Sequence, residues 1–497
     1  MPSKPEILDY EPVFRSGARH DGEVDALSEK WPHSEKISFD NHVITPTSTS
    51  DGPALNETSW VTDSANWIRR KGHTLSFGAL FLFTVILYFR PYEFFPGLSS
   101  FKSMAFYTGL ITLAIYAISQ IVIEGNLTAR TREINLILLL GVAALLSIPL
   151  AINPGEAWET FTEYLLKAIL IFIVIVNVVR TKRRLYALIL LALVVSVYLS
   201  IYAIQDYQLG VFKLGHAENN NLRVAGRIKG LFENSNDLAL HLVTMAPIAV
   251  CLALAKRGVL RKVVYLGTAA LMVAAIVVTF SRGGFIALVV VSFFLVRKLG
   301  RNQRLITTAG FVLALVLFVA FAPGGYGRRL STIFDTASDI TGSASQRTQV
   351  MKRSFLVTLR YPVFGVGLGN FHYKSFQELG THNAYTQVGS EMGIAAMVIY
   401  IMFLIYPYKR LTEIQKQTYQ EKDERFYYYL AVGLQAGLLG YMFASFFAAV
   451  AYQWYIYYLV GYAIALRRIY LSRTQNGLSG AAANQTFSPA PELRSVG

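Results

Sequence analysis

The chain has 497 residues, of which 53% are hydrophobic and only 15% are charged, against about 25% charged residues in an average soluble domain. Its mean hydropathy is +0.40, and the apolar residues fall in long runs that a globular core does not need. This composition excludes a soluble multidomain enzyme and a disordered protein. It predicts a polytopic membrane protein.

The formal net charge of +15 is unevenly distributed along the chain. Residues 1–66 contain 5 Lys or Arg against 12 Asp or Glu, so the remainder is strongly basic. A basic membrane protein suits anionic lipid headgroups or a phosphorylated substrate. Nucleic acid is not expected, because the basic residues lie in short loops between apolar runs, where many of them serve only to set membrane topology.

Residues 1–66 form a segment that is polar, acidic and without periodicity, which predicts a disordered cytoplasmic tail. No apolar run follows the start, so no signal peptide is expected. The single cysteine, Cys251, lies in an apolar run. One cysteine excludes a disulfide within the chain and a thiolate metal cluster, and we expect no metal and no cofactor.

Apolar runs of membrane-spanning length predict an all-α protein with about twelve transmembrane helices. The predicted spans are 74–91, 103–123, 134–152, 164–179, 185–204, 237–254, 263–280, 284–296, 305–322, 385–406, 428–446 and 450–466. We expect residues 67–470 to form the transmembrane domain. Residues 471–497 are expected to be a flexible cytoplasmic C-terminal tail.

The short basic loops predict the orientation of these spans. Lys and Arg follow the even-numbered spans, as in 180–184, whereas the loop 153–163 after an odd span contains neither. The positive-inside rule therefore places both termini in the cytoplasm. It places the long loops 205–236 and 323–384 on the outer face, the second of them between spans nine and ten. Long loops often carry function.

The first outer-face feature is the basic, glycine-punctuated segment 223–236, which leads directly into span six. Arg227, together with Arg223 or Lys229, is a candidate for binding an anion beside the N-terminus of the following helix. Asn234 and Asn236 are natural helix N-caps. The alternative is an ordinary solvated loop followed by a capped helix.

The second feature is Arg282, in the sequence Ser-Arg-Gly-Gly that alone interrupts the apolar pattern between Lys262 and Arg297. This stretch is too long for one span and barely long enough for two, so Arg282 must lie at a tight outer turn. A charge near the hydrocarbon is costly, so such a residue usually faces a cavity or a partner. Snorkelling of Arg282 to the headgroups is the alternative.

The long outer loop contains a further candidate arginine. Residues 343–360 predict a capped amphipathic helix with Arg347 in its first turn, where a bound anion would offset the unfavourable dipole interaction. A solvated face is equally compatible with the pattern. The glycine-rich stretch 364–371 looks like a phosphate-binding loop, but no strand precedes it, and we interpret it as a turn.

His382 stands where the long loop enters span ten. An imidazole near its free pKa accepts a proton at neutral pH, which suits a general base, although an ordinary interfacial histidine is the alternative. Glu391 lies nine residues further on, on the opposite face of a continuous helix. We therefore expect Glu391 to support packing or another pocket and not to orient His382, and we expect Asn383 to be a supporting residue.

Taken in order, the segments Gly-Leu-Phe-Glu-Asn-Ser-Asn236, Ser-Arg-Gly-Gly284, Gly-Val-Gly-Leu-Gly-Asn370 and His-Asn-Ala-Tyr-Thr-Gln-Val-Gly-Ser-Glu-Met-Gly393 resemble the O-antigen ligase and polymerase superfamily of bacterial envelope proteins. The similarity covers roughly residues 74–470. It implies a GT-C-like membrane glycosyltransferase of the bacterial inner membrane, which acts on undecaprenyl pyrophosphate at the periplasmic face.

By that resemblance, His382 would be the catalytic histidine of the large periplasmic loop, and Arg282 and Arg227 would bind pyrophosphate, with Arg347 as a further candidate. The expected reaction is metal-independent transfer, with inversion, of a glycan to a sugar hydroxyl of lipid A–core. The acceptor could also be a lipid-linked repeat, as in a polymerase, or a protein hydroxyl, as in a protein O-oligosaccharyltransferase. A transporter of lipid-linked sugars, without chemistry, is the alternative from another class.

Overall fold

A computed structural model describes residues 59–90, 103–211, 213–214, 222–224, 226, 232, 234–299, 343–375, 378–419 and 421–486. These residues are overwhelmingly helical. The described strands are β1, Lys213–Leu214, and β2, Leu222–Arg223, which pair antiparallel over two residues. The predicted all-α membrane class is therefore confirmed for the described part of the chain.

Thirteen helices make up the described fold. They are α1 Ser59–Phe89, α2 Met104–Glu124, α3 Arg132–Ser147, α4 Pro154–Val178 with a π-helical turn at Phe161–Leu165, α5 Lys182–Gln208, α6 Ser235–Ala255, α7 Val259–Val278, α8 at 282–299, α9 Ser343–Arg360, α10 Ala384–Met392, α11 Ile394–Thr418, α12 Arg425–Ala444 and α13 Trp454–Thr486.

Seven of the helical segments described are long and apolar enough to cross a membrane: α2, α4, α5, α6, α7, α11, and α12 with its extension to Phe447. A shorter apolar helical segment covers His73–Phe89. Each predicted span other than 305–322 overlaps a described helix, and 305–322 lies outside the described residues. The count of twelve spans and the place of the long loop between spans nine and ten stay predictions.

Three predicted boundaries are corrected by the structure. The span predicted at 385–406 is two helices, because Gly393, with φ +90°, ends α10 and begins α11. The predicted disordered tail 1–66 overlaps α1, which begins at Ser59, and its residues 1–58 lie outside the described part. The outer loop predicted from 205 begins only after Gln208, where α5 ends.

The C-terminal tail predicted from residue 471 is also corrected, because α13 continues to Thr486. The first part of this extension contacts the rest of the bundle. Arg473 forms a 2.7 Å ion pair with Glu424, and its guanidinium lies over the Tyr427 ring. The ring of Tyr470 also contacts Tyr427. Residues 487–497 lie outside the described part.

The centre of the bundle is the contact between α6 and α12. Three glycines of α12, Gly433, Gly437 and Gly440, face α6 so closely that a Cβ on Gly437 would lie 2.6 Å from the Thr244 carbonyl oxygen. Small residues at this spacing let two helix backbones approach, which is how membrane helices gain packing energy without a hydrophobic driving force. As a result, α6 is buried along almost its whole length.

The two ends of the bundle are held together by different contacts. At the end where α4 terminates, Arg180 forms an ion pair with Glu124, and Arg468 donates to the Val176 carbonyl. At the other end, where α4 begins, the Asn153 backbone N–H donates to Asn370 at 2.6 Å. The segment that carries His382 lies at this second end, because Asn370 follows the glycine turn that packs on α10.

The close contact at Gly437 predicts that two Gly→Ala variants differ in their free energy of unfolding. Gly437→Ala should lower the free energy of unfolding by about 1–3 kcal/mol, because the new methyl group must displace backbone of α6. Gly267→Ala in α7 is the matched control, since nothing lies within 4 Å of its Cβ position. The measurement is the apparent melting temperature in detergent. Equal melting temperatures for the two variants would contradict this packing.

Candidate functional site

His382 sits at the entrance to α10 in an unusual backbone conformation. Its φ is +53°, in the left-handed region, which costs a non-glycine residue roughly 1–3 kcal/mol. The next residue, Asn383, caps the helix by accepting hydrogen bonds from the N–H groups of Tyr385 and Thr386 at 2.9 and 3.0 Å. The same side chain donates to the Phe446 carbonyl at 3.3 Å. The Asn383 cap therefore fixes the backbone that presents His382.

The imidazole of His382 is electrostatically coupled to Arg347. Burial, together with the positive charge of Arg347, lowers the pKa of His382 from its ordinary 6.5 to about 4. The ring is therefore neutral at pH 7 and carries a free lone pair, as a proton acceptor must. The structure thus brings together two of the residues predicted to belong to the site.

Arg347 reaches this position because α9 packs on α10. Ser354 donates a 2.9 Å hydrogen bond to the Thr386 hydroxyl, and Thr358 lies against Gly389. Arg347 precedes Ser354 by seven residues, which is two helical turns, so both side chains leave the same face of α9. The predicted helix 343–360 is confirmed with those bounds.

Arg282 is the first residue of α8 and follows a sharp turn after α7. Phe280 takes up the left-handed conformation, with φ +52°. The Ser281 hydroxyl accepts from the Gly284 N–H at 3.2 Å and donates to the Asn236 carboxamide oxygen at 2.9 Å. Asn234 is the N-cap of α6 and accepts from the Asn236 N–H at 2.9 Å, so the predicted cap Asn236 lies in the first turn of the helix instead. The Asn236 side chain joins the start of α6 to the start of α8. Arg282 lies at the positive end of a helix dipole, a position that favours a bound anion.

The short 3-10 turn Ser445–Phe447 connects the Arg282 turn with the His382 segment. The Phe446 carbonyl accepts from Asn383, and the Phe447 side chain lies so close to Gly283 that a Cβ there would be 2.7 Å away. Tyr385 strengthens the connection, donating from its hydroxyl to the Met442 carbonyl at 2.7 Å. Phe446 and Phe447 could not be predicted to belong to the site, because they lie in an apolar run and nothing in the local sequence marks them.

The basic segment before α6 is described only in part. Arg223 lies in β2, opposite Lys213, while Arg227 lies outside the described residues. The Gly226 N–H donates to the Phe232 carbonyl at 2.8 Å. Phe232 is fully buried, with its ring 4.6 Å from that of His241. The role of Arg223 and Arg227 stays a prediction.

Glu391 is buried and makes contacts outside the His382 segment. Its carboxylate accepts from the Tyr452 hydroxyl at 2.8 Å, and its carbonyl accepts from the Gly367 N–H at 3.0 Å. Gly365 lies directly against the Glu391 backbone with φ +68°, where only glycine fits. The glycine-rich stretch is therefore a turn docked on α10, as interpreted from the sequence.

In the described part of the chain, no group of three or more His, Cys, Asp or Glu side chains is arranged to hold a metal ion. The site residues predicted to act on substrate and described here are His382, which is neutral, and the cationic Arg282 and Arg347. This set can accept a proton and stabilise a phosphate-like anion through charge-assisted hydrogen bonds.

Comparison with known proteins finds a family model that matches part of the chain. Residues 267–401 match a family model described as O-antigen ligase. The predicted resemblance to the O-antigen ligase and polymerase superfamily is confirmed. The matched segment contains Arg282, Arg347 and His382, whereas Arg223, Arg227 and Asn236 precede it.

Other comparisons are less informative. The search of curated proteins gave no match. One chain of a solved structure described as "Structural coordination of polymerization and crosslinking by a peptidoglycan synthase complex" is 16% identical with a TM-score of 0.39, covering 67% of this chain and 96% of that one. A likeness of this degree carries no argument about fold or function.

The depressed pKa of His382 predicts an unusual pH profile. The acid limb of kcat/KM, which reports the free enzyme, should lie near pH 4 and not near 6.5, because the imidazole stays neutral in that interval. Arg347→Gln removes the smaller of the two causes, so its acid limb should move upward without reaching 6.5. A wild-type acid limb at 6.5 would show that His382 is not the titrating base.

Proposed function

We propose that the protein is an inverting, metal-independent membrane glycosyltransferase of the O-antigen ligase type. It transfers a glycan from undecaprenyl pyrophosphate to an acceptor hydroxyl at the periplasmic face, with lipid A–core as the acceptor. In this proposal the fold is GT-C-like, the protein lies in the bacterial inner membrane, and both termini are cytoplasmic. No cofactor takes part.

The observation that carries the proposal is the pairing of a neutral, partly buried His382 with the cationic Arg347 inside an O-antigen ligase domain. A glycosyl transfer from a pyrophosphate needs a proton acceptor for the attacking hydroxyl and positive charge for the leaving group. His382 supplies the proton acceptor, and Arg347 supplies the positive charge. Arg282, at the start of α8, supplies a second cation on the other side of the Ser445–Phe447 turn.

The proposed reaction is a direct displacement. The acceptor oxygen forms a bond to the anomeric carbon while the bond from that carbon to the pyrophosphate oxygen breaks, which inverts the configuration. His382 takes the hydroxyl proton. Arg282, Arg347 and Arg227 neutralise the charge that develops on the departing pyrophosphate, as bidentate guanidinium groups do well. The proton then passes from His382 to solvent or to the departing pyrophosphate.

Arg347 also makes the pKa of His382 depend on whether the donor is bound. In the free enzyme its charge opposes the imidazolium form of His382. A pyrophosphate bound to Arg347 offsets that charge and raises the pKa of His382 toward the range in which a base works well at neutral pH. Proton transfer is thereby favoured when the donor is in place.

Two acceptors other than lipid A–core remain within the same chemistry: a lipid-linked repeat, which would make the protein a polymerase, and a protein hydroxyl. A transporter of lipid-linked sugars would use the arginines without any bond being broken. Purified protein with a defined donor and each candidate acceptor separates these functions. Covalent transfer supports an enzyme, and the acceptor used identifies its type.

Substitution of His382 tests the role of the base. His382→Ala should lower kcat by about 10²–10⁴-fold while donor binding changes little, because base assistance is typically of that size.

Arg282→Ala should weaken donor binding, turnover or both, and Arg282→Lys should restore only part of the loss, since lysine lacks the bidentate fork. Activity should persist in excess chelator.

Folding of each variant is checked by size-exclusion elution and melting temperature, so that a misfolded protein is not taken for an inactive one. Near-normal turnover in well-folded His382→Ala protein would refute the assignment of the base. It would also favour the transporter, for which a histidine at this position needs no proton chemistry.

Cysteine labelling tests the proposed orientation. In a Cys251→Ala background, a cysteine at the exposed Thr181 should react with an impermeant maleimide only from the cytoplasmic side. One at the exposed Glu378 should react only from the periplasmic side. The native Cys251 is fully buried, so its removal is a precaution against slow background labelling. The reverse pattern would move the site to the cytoplasmic face and exclude a periplasmic transferase.

A further inference from the structure

A group of accessible polar side chains lies at the end of the bundle where α4 begins, and the proposed reaction does not use it. It consists of Glu156 in the first turn of α4 and of His372 and Tyr373 in the 3-10 turn Asn370–Lys374. The side chains of Glu156 and His372 are 33% and 26% exposed, and Tyr373 is 44% exposed. We call these three residues the outer polar cluster.

Two hydrogen-bond acceptors stand beside each other in the outer polar cluster. The Gly369 carbonyl can only accept, so the Nδ1–H of His372 donates to it, at 3.0 Å. In the neutral ring, Nε2 then carries the lone pair, and it lies 3.6 Å from the Glu156 Oε1 atom. Neither atom can donate to the other while the ring is neutral. A ligand that brings two adjacent donors would satisfy both.

Tyr373 adds a donor and an apolar surface. The Asn153 amide donates to the Tyr373 hydroxyl at 3.0 Å, which leaves the hydroxyl hydrogen for another partner. The Tyr373 ring packs against the His372 ring, with the centroids 4.1 Å apart. Because nearly half of the residue is still exposed, the ring offers a rigid apolar surface next to its polar tip.

A sugar ring matches this combination of groups. Neighbouring hydroxyls of a pyranose each bring one donor for Glu156 and His372, and its oxygens accept from Tyr373. Its C–H face packs against an aromatic ring, whose face carries the negative part of the quadrupole. A phosphate would meet the Glu156 carboxylate and be repelled. A hydrocarbon chain would leave the polar groups unpaired.

The outer polar cluster lies at the end of α10 that is remote from His382. The glycine turn that precedes Asn370 bonds to this end, where the Gly367 N–H donates to the Glu391 carbonyl at 3.0 Å. His382 lies before the other end, and α10 has 9 residues, so its ends are about 13 Å apart. This separation is longer than one sugar ring. A sugar held by the cluster is therefore not the one whose bond is made or broken.

We propose that the outer polar cluster is a carbohydrate-binding subsite, which holds a sugar of the glycan at a distance from the reacting bond. The proposal rests on the glycosyltransferase function proposed above and deepens it, because it assigns the substrate to the oligosaccharides and not to single sugars. Binding energy from such a remote sugar positions the reacting end. The sugar belongs either to the donor glycan or to a glycan acceptor, and the experiment separates these sources.

Two exposed aromatic residues form a matched pair for the test. Tyr373 belongs to the cluster, whereas Trp158, which is 55% exposed, follows Glu156 by two residues and so lies on another face of α4. Tyr373→Ala and Trp158→Ala therefore remove rings of similar exposure at the same end of the bundle. Glu156→Gln is a second variant of the cluster, which keeps the shape of the side chain and removes its charge. Size-exclusion elution and melting temperature check the folding of each variant.

Each variant is assayed with donors that carry one sugar or a longer glycan, and then with acceptors of one or several sugars. Tyr373→Ala should lower kcat/KM by about tenfold for the longer form of one substrate, the size expected for one lost hydrogen bond and its ring contact. Glu156→Gln should act in the same direction. The single-sugar forms, and Trp158→Ala with every substrate, should match wild type. The substrate that is affected identifies the source of the bound sugar.

Three results of this assay would overturn the proposal. Equal losses for long and short substrates in Tyr373→Ala would show that this residue only supports the fold. No loss with either substrate would show that no sugar binds at the cluster. A loss of the same size in Trp158→Ala would show that the effect is not specific to the cluster.

If wild type transfers to no acceptor, the proposed function fails, and the subsite is tested by binding alone. The probe is an array of bacterial oligosaccharides that carry neither lipid nor pyrophosphate, and the labelled protein is applied to it in detergent. Wild type and Trp158→Ala should be retained by the same glycans, and Tyr373→Ala about tenfold more weakly. Retention of none of the three proteins, or of all three equally, would reject the subsite on its own.

Discussion

The close approach of α6 and α12 is the contact on which the rest of the site depends. Gly437 brings the two backbones together, and the ends of the same two helices then supply Asn236 on one side and the Ser445–Phe447 turn on the other. From these two points the starts of α8 and α10 are held by hydrogen bonds and side-chain contact. A change in the helix spacing would therefore shift Arg282 and His382 relative to each other.

Much of the helical architecture could be predicted from apolar runs alone, since each span is long and its ends are marked by charge. The confirmed helix at 343–360 could be predicted from its cap and its terminal proline. The break at Gly393 could not, because glycine inside an apolar run is compatible with a continuous helix until its φ is known. In the extension of α13 past residue 470, Arg473 contacts Glu424 and Tyr427, which no local pattern shows.

In the site, the side chains that carry charge could be predicted from the sequence, but the scaffold that positions them could not. His382, Arg282 and Arg347 could be selected because charge and imidazole are conspicuous among apolar residues. The coupling of His382 to Arg347 depends on how α9 packs against α10, which is a tertiary contact. Phe446 and Phe447 act through a backbone carbonyl and through shape, so their identity as aromatic residues in an apolar run gives no signal.

The break at Gly393 separates the position of His382 from the orientation of α11 in the lipid bilayer. A span of fixed hydrophobic length adapts to a thicker or thinner membrane by tilting. If α10 and α11 were one rod, tilting of α11 would swing its outer end and carry His382 with it. With the chain turned at Gly393, α10 has a direction of its own and is held by the bonds of Tyr385 and Asn383 to Met442 and Phe446. The position of the His382 segment is therefore set by these contacts and not by the axis of α11.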